Sequence, residues 1–264
     1  LIGGKLTDIQ NNNLIPILKD VADEPNPSFN NVVSKLRRSV IEEVRAIGIK
    51  LDTISGLELS KLLFTNKRKP KAKGLDLSNG TTVVNLMGLS LPSPSSEMTR
   101  WSENEKLSMA IMSLVTSLVT DTTTKKISKK TFKTVFIDEA WSVMASETGR
   151  DMINKIGLLG RSLNVALILA TQSPRHIENV EGVDILTVIS VRFAFKNDSK
   201  KDNEITVNSM NLPPDEGWEE IGHNLDTGQC LMHDVLKNTG VIYVSVPEEW
   251  QDMFDTNPLS LIGK

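Results

Sequence analysis

Cysteine is almost missing from this 264-residue chain. The single residue Cys230 excludes an intrachain disulfide framework and leaves no cysteine cluster for a zinc site. It reads as a small buried apolar residue. Long hydrophobic runs are lacking as well. The longest, Val165 to Ala170, is strand-sized, well short of the roughly 18 residues of a membrane-spanning helix, and the start has no signal-peptide pattern. The expectation is a soluble chain. Neither charge is in excess: 30 Lys and Arg stand against 33 Asp and Glu, a formal net charge of −3. That balance excludes bulk electrostatic affinity for nucleic acid and leaves only local contacts. Aromatic residues are few, and Trp101, Trp141, Trp218 and Trp250 are scattered, which favours packing over a base-stacking platform. His176, His223 and His233 show no metal-ligand spacing.

A further absence concerns phosphate binding. No G-x-x-x-x-G-K-[ST] occurs, the loop whose backbone amides and lysine hold nucleotide phosphates. Gly3-Gly4-Lys5-Leu6-Thr7 imitates it poorly: the lysine is not followed directly by Ser or Thr, and no strand precedes it. It reads as a turn before the first helix.

What is present begins as helix. Thr7 and Asp8 cap a helix running toward Val21, and Pro25-Asn26-Pro27-Ser28 breaks the chain and starts another. Phe29, Val32, Val33, Leu36, Val40, Val44 and Ile47 then form one apolar stripe at helical spacing, predicting a single helix ended by Gly48. A short helix over Leu57 to Phe64 completes a small helical subdomain. The Lys67 to Lys73 run, around Pro70, predicts an exposed linker. It and Lys125-Lys126 with Lys129-Lys130 read as solvated loops or as contacts to DNA phosphates. Beyond the linker the period changes. Thr81 to Leu86 predicts a strand, and Ser102 with Glu105 forms a capping box ahead of an amphipathic helix through Leu118.

Val135-Phe136-Ile137 and Val165 to Ala170 predict continuous apolar strands separated by a helix, hence a parallel sheet buried on both faces. Ile185 to Phe195 predicts a third such segment, and Gln229 to His233 with Val241 to Val246 a closing hairpin. Two domains follow: 1–73, helical with a basic linker, and 74–264, an α/β core. Asp138-Glu139 ends the first apolar strand and Thr171-Gln172 the second. Ligands of open parallel sheets bind beyond the carboxyl ends of strands, so this is Walker B geometry for one carboxylate at a Mg²⁺ shell and one polarising water. A strand that merely ends in a solvated Asp-Glu pair reads the same way from these residues alone.

The strings VFIDEAW, GRSLN and LILATQSP, with Gly228-Gln229 before the hairpin, resemble the C-terminal ATPase of the VirB-four/TraC family. These are conjugative type IV secretion motors of the HerA–FtsK branch of RecA-like ATPases, and the likeness runs from about Val135 to Pro247. The resemblance implies a RecA-like, mostly parallel α/β sheet flanked by helices, with the helical subdomain in front and the hairpin behind. It implies ATP and Mg²⁺ as cofactors, with Asp138 holding the metal through water and Glu139 as catalytic base. Gln172 becomes the γ-phosphate sensor, with Gly228 and Gln229 near the nucleotide. Arg161 is the candidate arginine finger, although Arg-Ser stands here where relatives often show Arg-Lys. It reads equally as a helix C-terminal cation, and Arg175 and Arg192 are its rivals. The implied partners are further copies of the chain in a hexameric ring, other type IV secretion subunits at the inner membrane, and DNA. The implied location is the cytoplasmic face of the membrane, held peripherally. The start at Leu1 and the family's order of motifs place the phosphate loop upstream of this chain. A non-catalytic docking module and a HerA-like DNA helicase or translocase stay open beside the secretion motor.

Overall fold

A computed structural model describes residues 6–63, 80–92, 97–124, 130–178, 185–213 and 216–250. The Lys67 to Lys73 run, Lys125, Lys126, Lys129 and the Gly3-Gly4-Lys5 turn lie outside them. The chain forms two compact units, Leu1–Ala170 and Thr171–Lys264.

The first unit opens with α1, Asp8–Ala22, whose Thr7 and Gln10 close a reciprocal capping box. α2, Phe29–Arg37, is capped by Ser28, and α3 spans Glu42–Ile54. Sequence periodicity predicts one helix where the fold has two. A continuous helix keeps Val40 on the apolar stripe, yet Val40 is 93% exposed. The break over Arg38 to Ile41 lets α3 fold back on α2, burying Val33, Leu36, Val44, Ile47 and Leu51 in one cluster. Gly48 does not end a helix; it lies inside α3, where a Cβ would sit 2.5 Å from the Arg37 amide nitrogen. A 3₁₀ turn over Leu59–Leu62 replaces the expected short helix. Ile54 then joins Leu107 and Ile111 in a second cluster, which ties the helical start to α4, Glu103–Thr124. The Ser102–Glu105 capping box forms as expected.

Thr81 to Leu86 is not a strand: it joins no ladder among the described residues, and Val83 is 85% exposed. β-branched residues favour a strand only where neighbours receive them. The strands among the described residues of this unit are β1, Lys133–Ile137, and β2, Val165–Leu169, paired in parallel with Val135 opposite Leu167 and Ile137 opposite Leu169. Between them run α5, Ala140–Met144, and α6, Glu147–Leu163, the latter packing against both α4 and β2. The pair is not buried on both faces: Phe136 and Ile168, opposite each other in register, are 63% and 47% exposed.

The second unit holds α7, Arg175–Glu178, and α8, Ile185–Val188. β3, Arg192–Phe195, follows, then α9, Lys200–Ser209, and α10, Trp218–His223. β4, Gln229–His233, and β5, Thr239–Tyr243, form the expected hairpin, and β3 joins it antiparallel. The segment Ile185 to Phe195 is therefore not a third parallel strand. Its first turn is helical around the buried Ile185, and only its end is extended; a short apolar run does not distinguish these by periodicity.

Candidate functional site

The parallel pair aligns two strand ends. Past Ile137 and Leu169 the ladder continues for one step: the Ala170 amide donates to Ile137 O and the Ala140 amide donates to Ala170 O, both at 2.9 Å. Asp138 and Glu139 occupy the stretch between these two bonds, at the carboxyl edge of β1. Asp138 is exposed, and its Oδ1 accepts the Glu139 amide at 3.0 Å. Glu139 stands in the left-handed region, φ 52° and ψ 57°, as the residue that starts α5. Such a conformation costs a non-glycine residue about 1–2 kcal/mol, and it persists here because flanking bonds determine the path of the turn. The carboxylate of Glu139 accepts a hydrogen bond from Trp141 Nε1 at 3.0 Å. Arg161 is exposed in the last turn of α6, where a cation also complements the carbonyl end of the helix.

The remaining expected residues belong to the second unit. Gln172 is exposed between two constrained neighbours. The Thr171 hydroxyl donates to Ser173 O, and buried Ser173 donates to both carboxylate oxygens of Asp202 at 3.1 Å. Arg175 forms an ion pair with the same carboxylate, and Asn197 Nδ2 donates to it at 3.2 Å. Burial pushes the Asp202 carboxyl upward, but Arg175, Ser173 and Asn197 outweigh this and hold it below the ordinary aspartate range. Gly228 precedes β4 at φ +84°, where a Cβ would lie 2.9 Å from the Tyr243 ring. The Gln229 side chain closes its own turn, its Oε1 accepting the Asp226 amide at 2.9 Å. Arg192 lies on β3 opposite His233, and burial lowers its pKa from the ordinary value. The Asp202 cluster is the feature that sequence reading missed. Ser199-x-x-Asp202 is visible as a helix cap, and the Ser199 hydroxyl accepts the Asp202 amide, but nothing local announces Ser173 and Arg175.

A family profile described as AAA-like domain matches residues 3–254. The chain belongs to the AAA-like domain family. Its fold matches VirB4 of Thermoanaerobacter pseudethanolicus with a TM-score of 0.62 at 13% identity, covering 94% of this chain and 66% of that one. The fold is thus VirB4-like. The uncharacterized protein YddE of Bacillus subtilis (strain 168) is 24% identical over 228 residues, which are 86% of this chain and 26% of YddE. The chain therefore spans about a quarter of that relative's length.

In this AAA-like domain the carboxylates at the end of β1 suit a hard cation that keeps most of its waters. Among the described residues no group of three or more His, Cys, Asp or Glu could cage a metal. Asp138 offers one exposed carboxylate, an oxygen donor of the kind a hard cation takes. No helix among the described residues is long and apolar enough to cross a membrane.

Proposed function

We propose that this domain is part of a motor ATPase that couples ATP hydrolysis to DNA or protein transfer, or to pilus assembly, in a conjugative type IV secretion system. The observation that carries this reading is the Asp138-Glu139 pair at the carboxyl edge of β1 in a VirB4-like fold, with Glu139 held in a left-handed turn. Asp138 would hold Mg²⁺ through its water shell, and the metal bound with ATP would neutralise phosphate charge. Glu139 would accept the proton of the attacking water. Gln172 reports on the γ-phosphate, and Gly228 and Gln229 line the nucleotide. Arg161 reaches a neighbouring copy in a hexameric ring, which docks on other secretion subunits at the cytoplasmic face of the membrane. Arg175 is a weaker rival for that role because it is already paired with Asp202.

The test is made in the full-length protein. Glu139→Gln keeps shape and ground-state contacts, so ATP still binds while turnover falls on the order of 10²–10⁴-fold. Asp138→Asn weakens Mg²⁺-dependent ATP binding too. Steady-state hydrolysis and calorimetric titration read the two effects, and wild-type turnover in Glu139→Gln sinks the assignment. DNA affinity that falls steeply with salt favours a DNA translocase over a secretion motor.

A further inference from the structure

Glu139 is held at both backbone and side chain, and the side-chain restraint comes from a residue with no assigned role. The backbone path is set by Ala170, which bonds to Ile137 on one side and Ala140 on the other. The Glu139 carbonyl accepts the Ser142 amide at 2.9 Å, which anchors the turn to α5. Trp141, two residues on and half-buried, sends its indole N–H to Glu139 Oε2. An indole nitrogen donates and never accepts, so this contact favours one direction of the carboxylate side chain. A base must be held within reach of water before it can take a proton from it.

We propose that Trp141 is the positioning residue for Glu139: its indole N–H keeps the carboxylate aimed at the edge of β1. Trp141 touches neither nucleotide nor metal in this role and acts only through Glu139. The inference rests on the reading of Glu139 as the base. A purely structural tryptophan, filling space beside α5, predicts different behaviour, because its contribution lies in the ring and not in the N–H.

Trp141→Phe in the full-length protein keeps an aromatic ring and deletes the donor. Trp141→benzothienylalanine, with sulfur in place of the N–H, keeps the indole shape as well and serves if the phenylalanine variant folds poorly. The KM for ATP stays within about twofold and kcat falls roughly tenfold, the order of effect of losing one hydrogen bond to a charged group. Placed on Glu139→Gln, the Trp141 replacement slows turnover no further. A kcat that stays at the wild-type value, or a slowing that simply adds to that of Glu139→Gln, overturns the positioning role. If Glu139→Gln itself turns over normally, the base assignment fails; if it is inactive while both Trp141 replacements keep the wild-type kcat, only this inference fails.

Discussion

Asp202 shows how one side chain can organise a segment far away in sequence. It is buried, accepts from Ser173 and Asn197, and pairs with Arg175, so a charge inside the second unit is matched by donors on three sides. Its folded pKa is depressed, so its contribution to stability is complete above the unfolded value of about 4 and is lost as pH falls through the folded value. Asp202→Asn is expected to destabilise the protein by about 1–3 kcal/mol at neutral pH, since Arg175 loses a partly buried partner. Denaturant unfolding at a series of pH values reads this: the gap between wild type and variant narrows below about pH 4. A gap that stays constant across the series shows that the carboxylate's charge is not what matters. The same contacts hold Ser173, next to Gln172, which was legible as a polar strand end but not as part of an ionic cluster. Ser173 and Asp202 are 29 residues apart, and no periodic pattern links them.

At the scale of elements, α2 and α3 make the clearest case of packing overriding a pattern. Their shared stripe is continuous in sequence, and only the exposure of Val40 and the close approach at Gly48 reveal a hairpin. Alanine favours a helix interior over glycine by about 1 kcal/mol. At position 48, however, a Cβ meets the backbone of α2, with Leu36 C at 2.8 Å, and backbone cannot step aside as a flexible side chain can. Gly48→Ala is therefore expected to raise the helicity of an isolated α3 peptide by circular dichroism, yet to destabilise the folded protein by about 1–3 kcal/mol. Stabilisation in both settings contradicts the close packing. The caps of α1 and α2 and the box before α4 were all readable in advance. Each is closed within three residues, so no distant contact is needed.

For the whole molecule, the decisive question is whether hydrolysis needs two copies. Arg161 is exposed at the end of α6, a position open to a neighbouring subunit. Arg161→Ala is expected to spare ATP binding by monomers and to impair hydrolysis only in assembled rings, as a group acting in trans must. Mixing inactive Arg161→Ala with inactive Glu139→Gln subunits restores part of the activity, because some interfaces then join an intact arginine to an intact base. Mixed rings that form and remain inactive remove Arg161 from this role and bring Arg192 forward. Electrostatics at this scale favours no polymer, since 30 cations and 33 anions nearly cancel.

The sequence by itself determined the caps, the two apolar strands, the carboxylate pair ending the first of them, and the closing hairpin. These depend on residue type and on neighbours a few positions away. Tertiary structure alone decided that α2 and α3 are two helices, that Ile185 to Phe195 divides into helix and antiparallel strand, and that Thr81 to Leu86 joins no sheet among the described residues. It also decided the left-handed turn at Glu139, which needs Ala170 of the adjacent strand, and the burial of Asp202 with Ser173 and Arg175. In each of these the free energy comes from contacts between segments distant along the chain, which no local pattern encodes.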